Sequence, residues 1–227
     1  MIGSAGANSL PASDDRSDEL DGGEQEVVDE GRWIQWFCAL EGNDFLIEVE
    51  EDFINDSFNH YGLKKKFKNA KYKELLDLIL LPYSPSDQEL QDEAFLEMNQ
   101  DACDLYGLLH SRFIVTPRGL AMMYQKFING QFGTCMRVNC EKQNLLPVGI
   151  SDEPRTSRVK VYCPRCNDVY LPRDQKVNID GSYFGTSFPH IFMATFQKEF
   201  PQKEEQVKYQ PKVFGFPIYK KEGSKFA

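Results

Sequence analysis

The chain has 227 residues, 41% of them hydrophobic and 27% charged, with a formal net charge of −9. That is enough apolar material to close one or two cores, which excludes a wholly disordered chain and a small scaffold dependent on disulfides. The acidic balance also disfavours a dedicated nucleic-acid binder, since phosphate contacts need a concentrated basic face.

The opening "MIGSAGANSL" has neither a basic leader nor an apolar run, so no signal peptide is expected and the protein is expected to be intracellular. Residues 1–31 read as an acidic tail. Asp14, Asp15, Asp18, Glu19, Asp21, Glu24, Glu26, Asp29 and Glu30 face only Arg16, so eight of the nine net negative charges lie there. With few large apolar residues to offset its ordering entropy, this tail is expected to be disordered. Ser13 and Ser17, set among the acids, are candidate phosphorylation sites.

Residues 32–130 predict a helical domain. It begins at "WIQWFCALEGNDFLIEV", where Trp33, Trp36, Phe37 and Leu40 recur at helical spacing and Cys38 reads as a buried thiol. Six lysines follow, Lys64, Lys65, Lys66, Lys68, Lys71 and Lys73, forming a solvated face or a dock for acidic partners or nucleic acid. "ELLDLILLP" is too short to span a bilayer and predicts a core helix, with no membrane association. "PYSPSDQELQDE" reads as a proline-stiffened acidic loop carrying Asp87, Glu89, Asp92 and Glu93. Next, Phe95, Met98, Ala102, Leu105 and Leu109 step by three and four, predicting one buried helical stripe with Cys103 beside it. Thr116 as N-cap, Pro117 at the first helical position and Gly130 past the end bracket a second helix.

Beyond Gly130 the texture changes to "VKVY", "DVYL" and "DGSYFGTSFPH", which predict short strands. The fold class is therefore α+β. Cys135 and Cys140, then Cys163 and Cys166, form C-x4-C and C-x2-C pairs, each able to supply two thiolates from one tight turn. The pattern predicts a zinc ribbon over residues 131–197 with one structural Zn²⁺ per chain, tetrahedral at about 2.3 Å from each sulfur. A thioredoxin-like dithiol is the rival reading, but Val169 and Tyr170 continue a β pattern where that chemistry needs a helix to open. Four cysteines leave no open position, so the metal is expected to be structural rather than catalytic, with Arg137 and Arg165 offsetting the thiolate charge. His60, His110 and His190 are too scattered for a second metal site. Phosphate-binding loops, dinucleotide fingerprints, zincin motifs and hydrolase elbows are all missing from the sequence.

"WIQWFCALEGNDF", "LYGLLHSRFIVTPRGLAMM", "FGTCMRVNCEKQNLLPVGISD", "VKVYCPRCNDVY", "DGSYFGTSFPH" and "KVFGFPIY" occur in the order, and with the cysteine spacing, of the casein kinase II regulatory (beta) subunit family, which the chain resembles from Trp33 to Tyr219. The resemblance implies a non-catalytic subunit that dimerises through its ribbon, holds two catalytic alpha subunits in an alpha2-beta2 tetramer, and modulates protein substrates in cytoplasm and nucleus. Gly-rich loop, strand lysine, H-R-D and D-F-G motifs of a kinase are lacking, which agrees. It also implies that the C-terminal segment, residues 198–227, docks on the catalytic subunit through Phe214 and Phe216, with Ile218 and Ile191 nearby. In an extended segment Phe214, Phe216 and Ile218 would share one face, and Pro217 would remove one backbone donor.

Val138, Leu146, Val159, Val161 and Val169 are more apolar surface than one small sheet can cover, and a two-fold interface between copies is expected to bury the remainder. The reading from another class is a nucleic-acid-binding ribbon of transcription-factor type. It rests on the lysine run with Arg137, Lys142, Arg155, Arg158 and Lys160.

Overall fold

The computed structural model describes residues 31–67, 72–200 and 211–218. The acidic tail with Ser13 and Ser17, Lys68 and Lys71, residues 201–210, and the chain after Ile218 lie outside the described residues.

Six α-helices are described: α1 (Trp33–Ala39), α2 (Glu51–Asn55), α3 (Tyr72–Ile79), α4 (Glu93–Phe113), α5 (Pro117–Ile128) and α6 (Phe188–Thr195). The expected stripe lies on α4, where Ala102, Leu105 and Leu109 are buried and Phe95 and Met98 pack at its edge. α5 starts and stops where its punctuation predicts: the Thr116 hydroxyl accepts the Gly119 N–H at 3.1 Å, and Gly130 takes the left-handed φ of 68°. Leu75, Leu78 and Ile79 bury α3 against α4, and Trp33 stacks on Phe37 with Tyr106 edge-on to both. Each such buried side chain contributes about 1.5–3 kcal/mol of transfer free energy. Among the described residues no helix is long and apolar enough to cross a membrane.

The ribbon strands are short. β1 (Leu146–Val148), β2 (Lys160–Tyr162) and β3 (Val169–Tyr170) form an antiparallel sheet in that order, with Leu146 opposite Tyr162 and Tyr162 opposite Val169. "DGSYFGTSFPH" departs from the strand expectation. Asp180 accepts the Ser182 N–H at 2.8 Å and turns the chain into a 3-10 segment, Gly181–Tyr183, after which Pro189 sits in the first turn of α6. Local capping chemistry overrides the apolar pattern there. This turn packs on α4, and one continuous core runs from Trp33 through the four ribbon cysteines to Phe192. The texture change at Gly130 thus falls inside a shared core.

Candidate metal centre and docking surfaces

Two knuckles build the centre. In the first, the Cys135 N–H donates to the Gln143 carbonyl at 2.8 Å and the Gln143 N–H to the Cys140 carbonyl at 2.9 Å, with Glu141 and Lys142 both left-handed. In the second, the Asn167 N–H donates to the Cys163 carbonyl at 2.9 Å, again with a left-handed Asn167. Non-glycine residues resist that conformation, and three of them in two short turns mark backbone bent for a purpose. The result is four buried sulfurs, all within 4.8 Å of one another, with Cys135 and Cys166 Sγ at 3.9 Å. A tetrahedron with about 2.3 Å metal–sulfur bonds has edges of about 3.8 Å, so the donor set fits a four-coordinate ion.

Burial pushes the Cys140 thiol up to about 11 and Cys163 further still. Burial also opposes ionisation of Cys166, but hydrogen bonds from Tyr170 and the Asp168 backbone outweigh it and hold that thiol below its ordinary value. The Tyr170 hydroxyl lies 3.2 Å from Cys166 Sγ. Packed thiols that resist ionisation are what a cation stabilises, displacing their protons as it binds. Arg137 and Arg165 stand beside the cluster and are each tied to a carboxylate, Asp168 at 3.0 Å and Glu141 at 3.0 Å. Their charge is shared with those acids rather than devoted to sulfur.

Cys38 and Cys103 are packing residues, raised by burial to about 11 and about 12. His60 bonds the Ile54 carbonyl, and His190 lies against the Tyr162 ring.

His110 is wholly buried. Its Nδ1 donates to the Tyr183 carbonyl at 2.7 Å while Nε2 accepts the Ile47 N–H at 3.2 Å, an arrangement only the neutral ring can satisfy. Burial accordingly lowers its pKa to about 4.

The seam between α4 and the ribbon escaped the sequence reading. Asp104, nearly buried, accepts the Tyr183 hydroxyl at 2.8 Å and the Arg155 Nε at 2.7 Å, and Arg155 also reaches Asp101 at 2.8 Å. Burial raises the Asp104 pKa against the pull of both partners. Gly107 lies against the Tyr183 ring, where an added Cβ would overlap ring atoms. The signal was the i, i+3, i+6 row of Asp104, Gly107 and His110 on an otherwise apolar helix face. Arg155 is therefore an intramolecular strut, and Arg137 is paired, which removes two of the cations that favoured a nucleic-acid ribbon.

Of the residues expected at an interface between copies, Leu146, Val159 and Val161 are buried in the chain's own core at 0%, 0% and 1% exposure. That expectation is corrected for these three, which the chain's own core claims on both faces of the sheet: Leu146, on the Tyr162 face, lies where α6 packs on β1, while Val159 and Val161 are buried on the opposite face. Val138 and Val169 remain exposed, together with Met136, Ile150 and Leu171. Of the acidic loop, Glu89 accepts the Ser86 N–H and hydroxyl, both at 2.8 Å, and Asp92 caps α4 at Ala94, while Asp87 and Glu93 are exposed. The Ser86 bonds hold the Glu89 carboxyl below its ordinary pKa.

The C-terminal segment is a hairpin rather than one extended strand. β4 (Lys212–Val213) pairs with β5 (Phe216–Pro217) about a two-residue turn in which Phe214 and Gly215 have φ of 50° and 86°. Phe214 and Phe216 are 96% and 76% exposed, and Ile218 and Ile191 are exposed as well. The turn breaks the alternation that would have aligned Phe214 with Phe216 and Ile218. The Ile218 N–H donates to the Pro211 carbonyl at 2.8 Å, so Pro217 opposite Lys212 falls at a non-hydrogen-bonded pair, where its missing donor costs the ladder nothing.

Fold and site together define a helical domain fused to a four-cysteine ribbon and a C-terminal hairpin. A sequence model of the casein kinase II regulatory subunit matches residues 32–217. Casein kinase II subunit beta-3 of Arabidopsis thaliana is 48% identical over 85% of this chain and 69% of its own length. Casein kinase II subunit beta' of Drosophila melanogaster is 44% identical over 84% of this chain and 85% of its own, and the subunit beta of Schizosaccharomyces pombe 44% over 88% and 85%. The chain belongs to the casein kinase II regulatory subunit family, and its role is regulatory rather than catalytic.

Proposed function

We propose that this chain binds one zinc ion through Cys135, Cys140, Cys163 and Cys166, pairs with a second copy through its ribbon, and scaffolds two casein kinase II catalytic subunits while adjusting which substrates they meet. The carrying observation is the cluster of four buried thiols within 4.8 Å, whose all-sulfur donor set suits zinc in a closed, non-catalytic site. With the ion in place the knuckles hold the sheet, and Val138, Val169, Met136 and Leu171 on and after them are the apolar surface a partner copy would cover. The exposed Phe214 and Phe216 side chains on a tight hairpin suit insertion into a groove of the catalytic subunit, where rigid aromatic anchors carry most of the binding energy. Six cysteines without a disulfide, four of them buried together, accord with residence in the cytoplasm and nucleus.

The test is calorimetric titration of a casein kinase II catalytic subunit with the full chain, before and after treatment with a zinc chelator. Binding at one catalytic subunit per chain that disappears on chelation is expected. Equal binding by the metal-free chain would refute the scaffold role of the ribbon.

A further inference from the structure

The lysine-rich stretch before α3 is not used by the metal centre or the hairpin, and the loop that leads into it is built unusually. Between residues 56 and 65 the backbone is fastened from below. Asp56 accepts the Phe58 N–H at 3.0 Å, Asn59 Nδ2 donates to the Phe53 carbonyl at 2.9 Å, and the guanidinium of Arg112 on α4 donates to the carbonyls of both Asn59 and Tyr61. Gly62, at φ 80°, reverses the chain, and Leu63 plugs into the core. Yet the two aromatics on this fastened loop point outward, Phe58 at 82% and Tyr61 at 87% exposure. A rigid backbone presenting bare aromatic rings is the arrangement of a binding anchor, because little conformational entropy remains to be lost on contact.

The adjoining charge selects the partner. Lys66 is engaged by Glu153 at 3.0 Å, whereas Lys64 and Lys65 are exposed and, among the described residues, pair with no carboxylate. Lys64 instead lies 5.6 Å over the Tyr72 ring, which keeps its ammonium beside the loop. On the fastened loop itself, Lys64 and Lys65 lie on the same short segment as the two rings. An extended polyanion would also meet Asp52, Asp56 and Glu153. A short acidic stretch with an apolar residue beside it fits both halves of the patch.

We propose that Phe58, Tyr61, Lys64 and Lys65 form a docking surface for a short acidic segment of a partner protein, the rings seating an apolar residue and the lysines its flanking carboxylates. The full, zinc-loaded chain is titrated into a fluorescein-labelled synthetic peptide of glutamate pairs interleaved with leucine, followed by anisotropy at low and moderate salt. Binding that weakens with salt is expected, about tenfold weaker in Lys64→Glu with Lys65→Glu and at least as weak in Phe58→Ser with Tyr61→Ser. All four side chains are solvent-exposed, so unfolding temperatures should match wild type and rule out misfolding. The proposal is overturned if both variants bind the peptide as wild type does or if no binding is seen at millimolar concentration. It is equally overturned if a lysine-for-glutamate peptide binds as well, or if phosphatidylserine vesicles or duplex DNA are bound in its place.

Discussion

The helical half and the ribbon are held together by different physics. Around α4 the rings of Trp33, Phe37 and Tyr106 are buried and interlocked and Phe113 packs on Phe53, so broad apolar burial, with hydrogen bonds from the Trp33 indole and the Tyr106 hydroxyl, stabilises the packing. The ribbon has strands of two and three residues, below the length at which a sheet stands by itself. It depends on the thiol cluster at one end and on the Asp104–Tyr183–Arg155 strut at the other. One half should therefore respond to substitutions by degree, and the other should fail when a single ligand is removed.

The largest effect should come from Cys163→Ser. Loss of one of four ligands is expected to cost more than about 4 kcal/mol and to remove stoichiometric metal, while helical circular dichroism is largely retained. Elemental analysis with chemical denaturation measures both. Loss of helix and ribbon in a single step would erase the contrast. Next, Asp104→Ala should cost about 3 kcal/mol, because it strands the buried Tyr183 hydroxyl and frees Arg155.

The seam should also carry a pH signature. His110 has a folded pKa of about 4 against 6.5 for the free group, so the folded state binds fewer protons between those values. Its contribution is complete above about pH 6.5 and is lost as pH falls through about 4, amounting to about 3 kcal/mol across the window. In His110→Gln, stability measured between pH 7 and 4 should fall less steeply. Gly107→Ala should cost about 1–3 kcal/mol by overpacking against Tyr183. The smallest effect on folding should be that of Phe214→Ala with Phe216→Ala, which leaves the melting temperature unchanged but weakens catalytic-subunit binding at least a hundredfold. Retained affinity would show that the hairpin is not the dock.

Much of this was legible because local chemistry dictates it. Thr116, Pro117 and Gly130 bracket a helix by capping geometry, and two close cysteine pairs have few uses other than a metal. What stayed hidden depends on tertiary placement. Alternation shows that Val159 and Val161 share a face, but not that the chain's own core claims that face. The hairpin was masked because Phe214 occupies a left-handed position normally filled by Asn, Asp or Gly. A single polar residue on an apolar helix, Asp104, reveals its importance only when Tyr183 is brought to it from 79 residues away.

Native mass spectrometry of the full chain, with and without chelator, tests the central claim most directly. The account predicts two chains carrying one zinc ion each, with metal and partner lost together on chelation. A metal-free species that persists as a dimer would contradict it.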